Sequence, residues 1–218
     1  MKIVHLPTGS KFYETPRGLY PSVTSILQAT MPAEQSQRLN QWKQRNGSDA
    51  ENLRQQASDR GKIIHKLIEA RLKGEDMECP PDVNGFWNEA QKILRAIGEV
   101  IAIEKPVYHS QLHYAGTLDL LAYWQETLTL FDFKTSHREK RSQWLTDAKL
   151  QIAAYRGAYD CLYGTQIPQG LIMVITPNTV QLFTLEKEEL QRYWEEWLLR
   201  LDQYRSLELY GQLFGSKT

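Results

Sequence analysis

Two adjacent apolar segments, residues 116–124 (GTLDLLAYW) and 128–136 (LTLFDFKTS), constrain the fold more than any other part of the chain. Both read as strands, and only a short polar turn at Gln125-Glu126-Thr127 separates them. In the second, Leu128, Leu130, Phe131 and Phe133 leave little sign of a solvent-facing side. Such a strand lies inside a sheet, yet it carries Asp132 and Lys134, and the first strand carries Asp119. Side chains alternate along a strand, so Asp132 and Lys134 share one face while Phe133 enters the core on the other. Charges inside a buried sheet need a partner or a function. The competing reading, a surface strand of alternating charge, fits these neighbours poorly.

The surrounding sequence predicts an α/β chain in which a central mixed sheet is flanked by helices. The first twenty residues read as a hairpin with its turn at Thr8-Gly9-Ser10. A helix follows from Pro21-Ser22, with Ser22 or Thr24 as its N-cap, then a polar helix over 33–45 and a longer one over 48–73 that Gly74 ends. In that long helix Ile64, Leu67, Ile68 and Leu72 recur at helical spacing. A further helix is expected over about 82–98, after Pro80-Pro81, and then a strand around 99–110. Beyond the two central strands come a helix over 142–163, two strands around Asn178-Thr179, and an amphipathic helix from about 188 to 209. No repeat, linker or low-complexity tract divides the chain. A single domain over 1–218 is expected, with residues 1–98 decorating a core at 99–185 and a C-terminal helix closing it.

Composition excludes some function classes. No segment is long and apolar enough to span a bilayer, and the N-terminus lacks a signal-peptide core, so a cytoplasmic protein without membrane contact is expected. Two distant cysteines, Cys79 and Cys161, cannot form a disulfide framework or a CxxC zinc site. The net charge is zero, but residues 1–73 carry twelve Lys and Arg against six Asp and Glu. Nucleic-acid binding therefore stays open through local fields.

Two carboxylates and a lysine on neighbouring strands suit phosphodiester hydrolysis. Asp119 and Asp132 offer the hard oxygens that Mg²⁺ prefers, a carbonyl near Phe133 offers another, and Lys134 can orient water or offset phosphate charge. Glu104 lies on the preceding strand, where a third acid could reach the metal, although a surface glutamate reads equally well. His65 lies on the apolar helix with Gly61 one turn earlier, where glycine would let a phosphate or another element come close. Gln151 and Tyr155 share one face of the helix after the strands, either to meet a phosphate or to pack. The loop His137-Arg138-Glu139-Lys140-Arg141, followed by Trp144, suits single-strand binding as well as it suits a solvated helix entry. Trp42, beside Lys43 and Arg45, invites the same two readings. His109 and His113 could form a second metal pair, since four residues along a strand return to the same face.

In this order, Gly61-x-x-x-His65, Glu104, Gly116-Thr117-Leu118-Asp119, Asp132-Phe133-Lys134 and Gln151-x-x-x-Tyr155 resemble the PD-(D/E)XK nuclease superfamily, within it the RecB-like exonuclease branch. Pro21-Ser22-Val23-Thr24 and Lys134-Thr135-Ser136 are most similar to the mitochondrial genome maintenance exonuclease type. The resemblance implies a restriction-endonuclease-like core and a deoxyribonuclease dependent on Mg²⁺ or Mn²⁺, acting on single-stranded DNA or DNA ends. It implies that His65, Asp119, Asp132 and the Phe133 carbonyl bind the metal, that Lys134 is the catalytic lysine, and that Glu104 is a supporting acid. Gln151, Tyr155, Ser22, Thr24, Thr135 and Ser136 would meet the DNA. Two cysteines cannot supply the Cys₄ set of the iron–sulfur relatives, so a member without that cluster is expected. No GxxxxGK[ST] loop is present, which leaves unwinding to a separate helicase or recombination partner. An inactive DNA-binding module and a structure- or sequence-specific endonuclease are the competing functions.

Overall fold

A computed structural model describes residues 1–6 and 9–214, with 210–214 as backbone alone. Strands β1 (Lys2–His5), β2 (Lys11–Thr15) and β3 (Gly18–Pro21) form a small antiparallel sheet. The expected hairpin is present, although Thr8 of its turn lies outside the described residues. The third strand was not expected. It follows a turn that Gly18 completes at φ 127°, a conformation costly for residues with a Cβ.

Among the described residues six α-helices follow or interleave: α1 (Val23–Ala29), α2 (Ala33–Asn46), α3 (Ala50–Lys73), α4 (Asn84–Leu94), α5 (Thr146–Tyr163) and α6 (Lys187–Phe214). Ser22 caps α1 by accepting the Ser25 N–H, and Gly74 ends α3 in the left-handed conformation. α4 stops at Leu94, short of its expected end, because the chain is already extended from Ile97. Gly98 there lets the strand approach Tyr123, whose carbonyl would stand 3.2 Å from any added Cβ.

The main sheet contains β4 (Ile97–His109), β5 (Tyr114–Trp124), β6 (Thr127–Thr135), β7 (Gln169–Ile175) and β8 (Val180–Leu185), in that spatial order. Only β6 and β7 are parallel, joined through α5 as a crossover, so the sheet is mixed. β5 and β6 form a tight hairpin in which Thr127 already pairs with Trp124. Gln125 and Glu126 alone make the turn, both at positive φ, as a two-residue hairpin favours.

Two cores cover the two faces. On one, Leu130, Ile172 and Val174 pack with Val23 of α1, Ile152 of α5 and Trp197 of α6. On the other, Phe131, Phe133 and Met173 pack with Ile64 and Leu67 of α3 and Phe86 of α4. Each buried Leu or Phe contributes roughly 1.5–3 kcal/mol, which fixes β6 between helices and carries Asp132 in with it. This is the α/β architecture expected, a mixed sheet between helical layers with a restriction-endonuclease-like core.

α5 and α6 meet at Gly157, where an added Cβ would stand 2.2 Å from the Trp194 ring. Gly157→Ala is expected to overpack this contact by about 1–3 kcal/mol, of which helix propensity returns roughly 1 kcal/mol. Urea unfolding should show a net loss; a gain in stability would mean that the two helices do not pack this closely.

Candidate active site

The site forms where two buried strands part. β5 and β6 pair from Trp124↔Thr127 to Leu120↔Phe131. Past that point β5 stays with β4 as far as Tyr114, and β6 stays with β7 as far as Thr135. Asp119 and Asp132 are the first residues beyond the parting, one on each strand. The Phe133 N–H donates to Asp119 Oδ2 at 2.8 Å, so a side chain satisfies the backbone where the ladder ends.

Strand alternation resets at this level. Leu118 and Leu121, three apart, belong to the same core, as do Ala102 and Val107, five apart on β4. Perfect alternation would put each pair on opposite faces. Between them, Glu104 lies opposite Asp119, flanked by the pairs Ile103↔Leu120 and Lys105↔Leu118. Its φ is 43°, a left-handed value rare for a residue with a Cβ. This turn of the backbone accompanies a carboxylate aimed at α3.

His65 on α3 meets that carboxylate. Glu104 Oε1 lies 3.3 Å from Nδ1, and the Phe133 carbonyl lies 3.0 Å from Nε2. Asp119 Oδ1 is 3.8 Å from Nδ1. All are acceptors, so both ring nitrogens donate and the imidazole is protonated. Burial opposes that charge, but Asp119, Glu104 and the Phe133 carbonyl together lift the His65 pKa to about 9. His65, Glu104 and Asp119 each present a ligand atom, and these atoms lie within 4.8 Å of one another. Glu104 thus stands inside the donor cluster rather than behind it.

Asp132 looks toward α5 instead. Lys134 Nζ donates to Asp132 Oδ1 at 2.6 Å and to Gln151 Oε1 at 3.0 Å. Asp132 Oδ2 is shut from solvent without a hydrogen-bond partner. Burial raises the Asp132 pKa and Lys134 lowers it, while the nearby Asp119 charge adds to the rise, leaving it at about 6. Burial likewise raises Asp119 against the pull of His65 and Lys134. For Lys134 the two aspartates outweigh burial and raise its pKa, so it stays an ammonium. A cavity of about 530 Å³ opens on the α3 side, lined by Gly61, His65, Glu104, Phe133, Lys134 and Thr135 among others.

Known proteins bear on this geometry. Over 204 residues the chain is 35% identical to mitochondrial genome maintenance exonuclease 1 of Homo sapiens, an alignment covering 86% of this chain and 59% of that protein. The Mus musculus protein of the same name is 36% identical over 86% of this chain and 60% of its own length. The chain is similar to these exonucleases over most of its own length. It spans about 60% of the length of the relatives it matches. No family model matches it. Among solved structures SSO0001 aligns with a TM-score of 0.39 and 17% identity over 82% of this chain and 74% of that one, too slight a likeness to bear on function.

The other expected DNA contacts fall into two groups. Thr135 lines the cavity, and Gly61 faces it, a Cβ there meeting nothing nearer than Thr135 Oγ1 at 3.8 Å. Thr24 is exposed, its hydroxyl 3.0 Å from that of Ser22. Ser22 is buried as the cap of α1, and Ser136 Oγ donates to the Arg138 carbonyl within its own loop. Tyr155 is buried with its ring over Gly116, where an added Cβ would come within 2.3 Å. His109 accepts the Leu112 N–H and stacks on Trp194, while His113, beyond the strand, packs against Tyr20; the two serve different neighbours. Trp144 is 51% exposed with the Arg141 guanidinium 5.4 Å from its ring. Trp42 is half-buried. Two features carry no signal in the sequence. Tyr13 bonds Thr117 at 2.9 Å, tying the small sheet to β5, and Arg60 stands one turn before Ile64 on the apolar stripe of α3.

The left-handed backbone at Glu104 gives a direct test. A residue with a Cβ pays roughly 1–2 kcal/mol there, whereas glycine does not but loses about 0.5–1 kcal/mol through chain entropy. Glu104→Gly should therefore be the more stable of Glu104→Gly and Glu104→Ala, by about 0.5–1 kcal/mol in denaturant titration. The opposite order would show that this φ is not maintained.

Proposed function

We propose that the chain is one nuclease domain, a metal-dependent exodeoxyribonuclease that acts on single-stranded DNA or DNA ends in repair, recombination or degradation. The observation that carries this reading is the meeting of Asp119 and Asp132 at the strand parting, with Lys134 bonded to Asp132 at 2.6 Å. The relatives' shared name, an exonuclease of genome maintenance, supports the reaction class.

Mg²⁺ or Mn²⁺ fits the donors. His65, Glu104 and Asp119 already present ligand atoms together, and Asp132 and the Phe133 carbonyl would complete the set around the ion. These are oxygen ligands with one imidazole, a set both ions accept. A buried carboxylate oxygen with no donor, as at Asp132 Oδ2, calls for a cation. His65 already faces Glu104, Asp119 and the Phe133 carbonyl, and its charge supplies part of what an ion would bring. When bound, such an ion polarises the phosphodiester and makes water a better nucleophile.

The protein's own groups complete the chemistry. Lys134 is fixed by Asp132 and Gln151, and its third N–H is left for a phosphate oxygen or the attacking water. Gln151 is therefore a positioning residue for the lysine. Gly61 keeps the cavity wall open to a DNA backbone, with Thr135 as a phosphate contact and Thr24 as another within reach of solvent. The Ser22 and Ser136 hydroxyls are already engaged, so we assign them to structure.

The test uses end-labelled single-stranded DNA with Mg²⁺ or Mn²⁺. The wild type should degrade it progressively, and Lys134→Ala should be slower by about 10²-fold or more. Equal rates would sink the assignment. Circular single-stranded DNA should survive; its cleavage would make the protein an endonuclease.

A further inference from the structure

Among the described residues three cations of α3 pair with no acid, Arg60, Lys66 and Arg71, and of these Arg60 alone is half-buried. Along the exposed face Arg54 pairs with Glu51, Lys62 with Asp59 and Lys73 with Glu69. Arg60 is half-buried and pairs with no carboxylate among the described residues. Its guanidinium lies over the Phe86 ring, 5.0 Å from the centroid, and NH1 donates to His137 Nε2 at 2.9 Å. The His137 ring in turn meets Phe86 edge-on at 5.4 Å. Burial and the Arg60 charge hold the imidazole below its usual pKa, which keeps Nε2 an acceptor. Arg60 Nε is shut from solvent without an acceptor. A charge restrained this way and left uncompensated is costly for the fold alone.

Its position relates it to the cavity. Gly61 and Thr135 line that cavity, and Arg60 and His137 lie one and two residues beyond them in the chain. His65 is five residues along α3, about 7.5 Å along the helix axis. The loop after His137 adds exposed Arg138, Lys140 and Arg141.

We propose that Arg60, oriented by Phe86 and His137, is a phosphate clamp that binds a phosphodiester of the DNA strand next to the one being cleaved. With Nε shut from solvent and one NH1 hydrogen given to His137, the edge formed by the other NH1 hydrogen and NH2 is left to meet two phosphate oxygens at once. The clamp rests on the nuclease reading for its substrate, but it can be tested without catalysis.

Binding of a fluorescent oligothymidylate is followed by anisotropy in EDTA over a salt series, with melting curves for each variant. Losing one phosphate contact from a single strand should make the slope of log K against log salt shallower by about 0.7 in Arg60→Gln. Arg60→Lys should recover the slope but bind more weakly, since its charge remains and the fork is lost. If Arg60→Gln does not fold, His137→Ala is read instead, with weaker binding at an unchanged slope expected. A wild-type slope in folded Arg60→Gln overturns the clamp and leaves Arg60 a structural residue. Inorganic phosphate that raises the wild-type melting temperature and not that of Arg60→Gln, with no change in oligonucleotide slope, also overturns it. The two readings separate cleanly: a slope change in a protein that cleaves nothing supports the clamp and sinks the nuclease, and cleavage with an unchanged slope does the reverse.

Discussion

Asp119 and Asp132 place two like charges side by side at the parting of two buried strands, and the architecture around them answers that constraint. Carboxylates that share a site raise each other's pKa unless cations intervene. Here two intervene from opposite sides of the sheet. His65 comes from α3 to Asp119 and Glu104, and Lys134 lies against Asp132 with its ammonium steadied by Gln151 of α5. Removing either cation would leave an uncompensated buried charge, the costliest of single changes.

The sheet allows this because its alternation is not uniform. Glu104 at φ 43° accompanies a change of face in β4, and its neighbour β5 changes face at Asp119. One carboxylate can then address the helix below the sheet while the next addresses the helix above. A regular pair of strands would hold both on one side or separate them by a full residue pair. The strained backbone and the hydrogen bond from Phe133 to Asp119 thus belong to the same arrangement.

Local periodicity made a large part of this legible. Alternation alone placed Asp132 with Lys134 and sent Phe133 to the core, and capping residues fixed the start of α1 and the end of α3. Motif order pointed to His65, Glu104, Gln151 and Tyr155 as members of one site; His65 and Glu104 bond each other, and Gln151 bonds Lys134 on the α5 side. What could not be read depends on tertiary geometry. The direction of Glu104 follows from a single dihedral that no pattern of residue types reveals. Tyr155 supports the site by covering Gly116, a contact between elements far apart in sequence. The hydroxyls of Ser22 and Ser136 look like free phosphate ligands in the sequence, but nearby backbone groups engage them. Arg60 looks like an interruption of an apolar stripe until Phe86 and His137 are seen around it.

The central claim is that the strand parting is a divalent-cation site, and anomalous diffraction from crystals grown with Mn²⁺ tests it most directly. A manganese peak bound by Asp119, Asp132 and the Phe133 carbonyl, with His65 turned from proton donor to ligand, is the result predicted. A peak bound elsewhere, or none at these residues while His65 keeps its hydrogen bond to the Phe133 carbonyl, would contradict it.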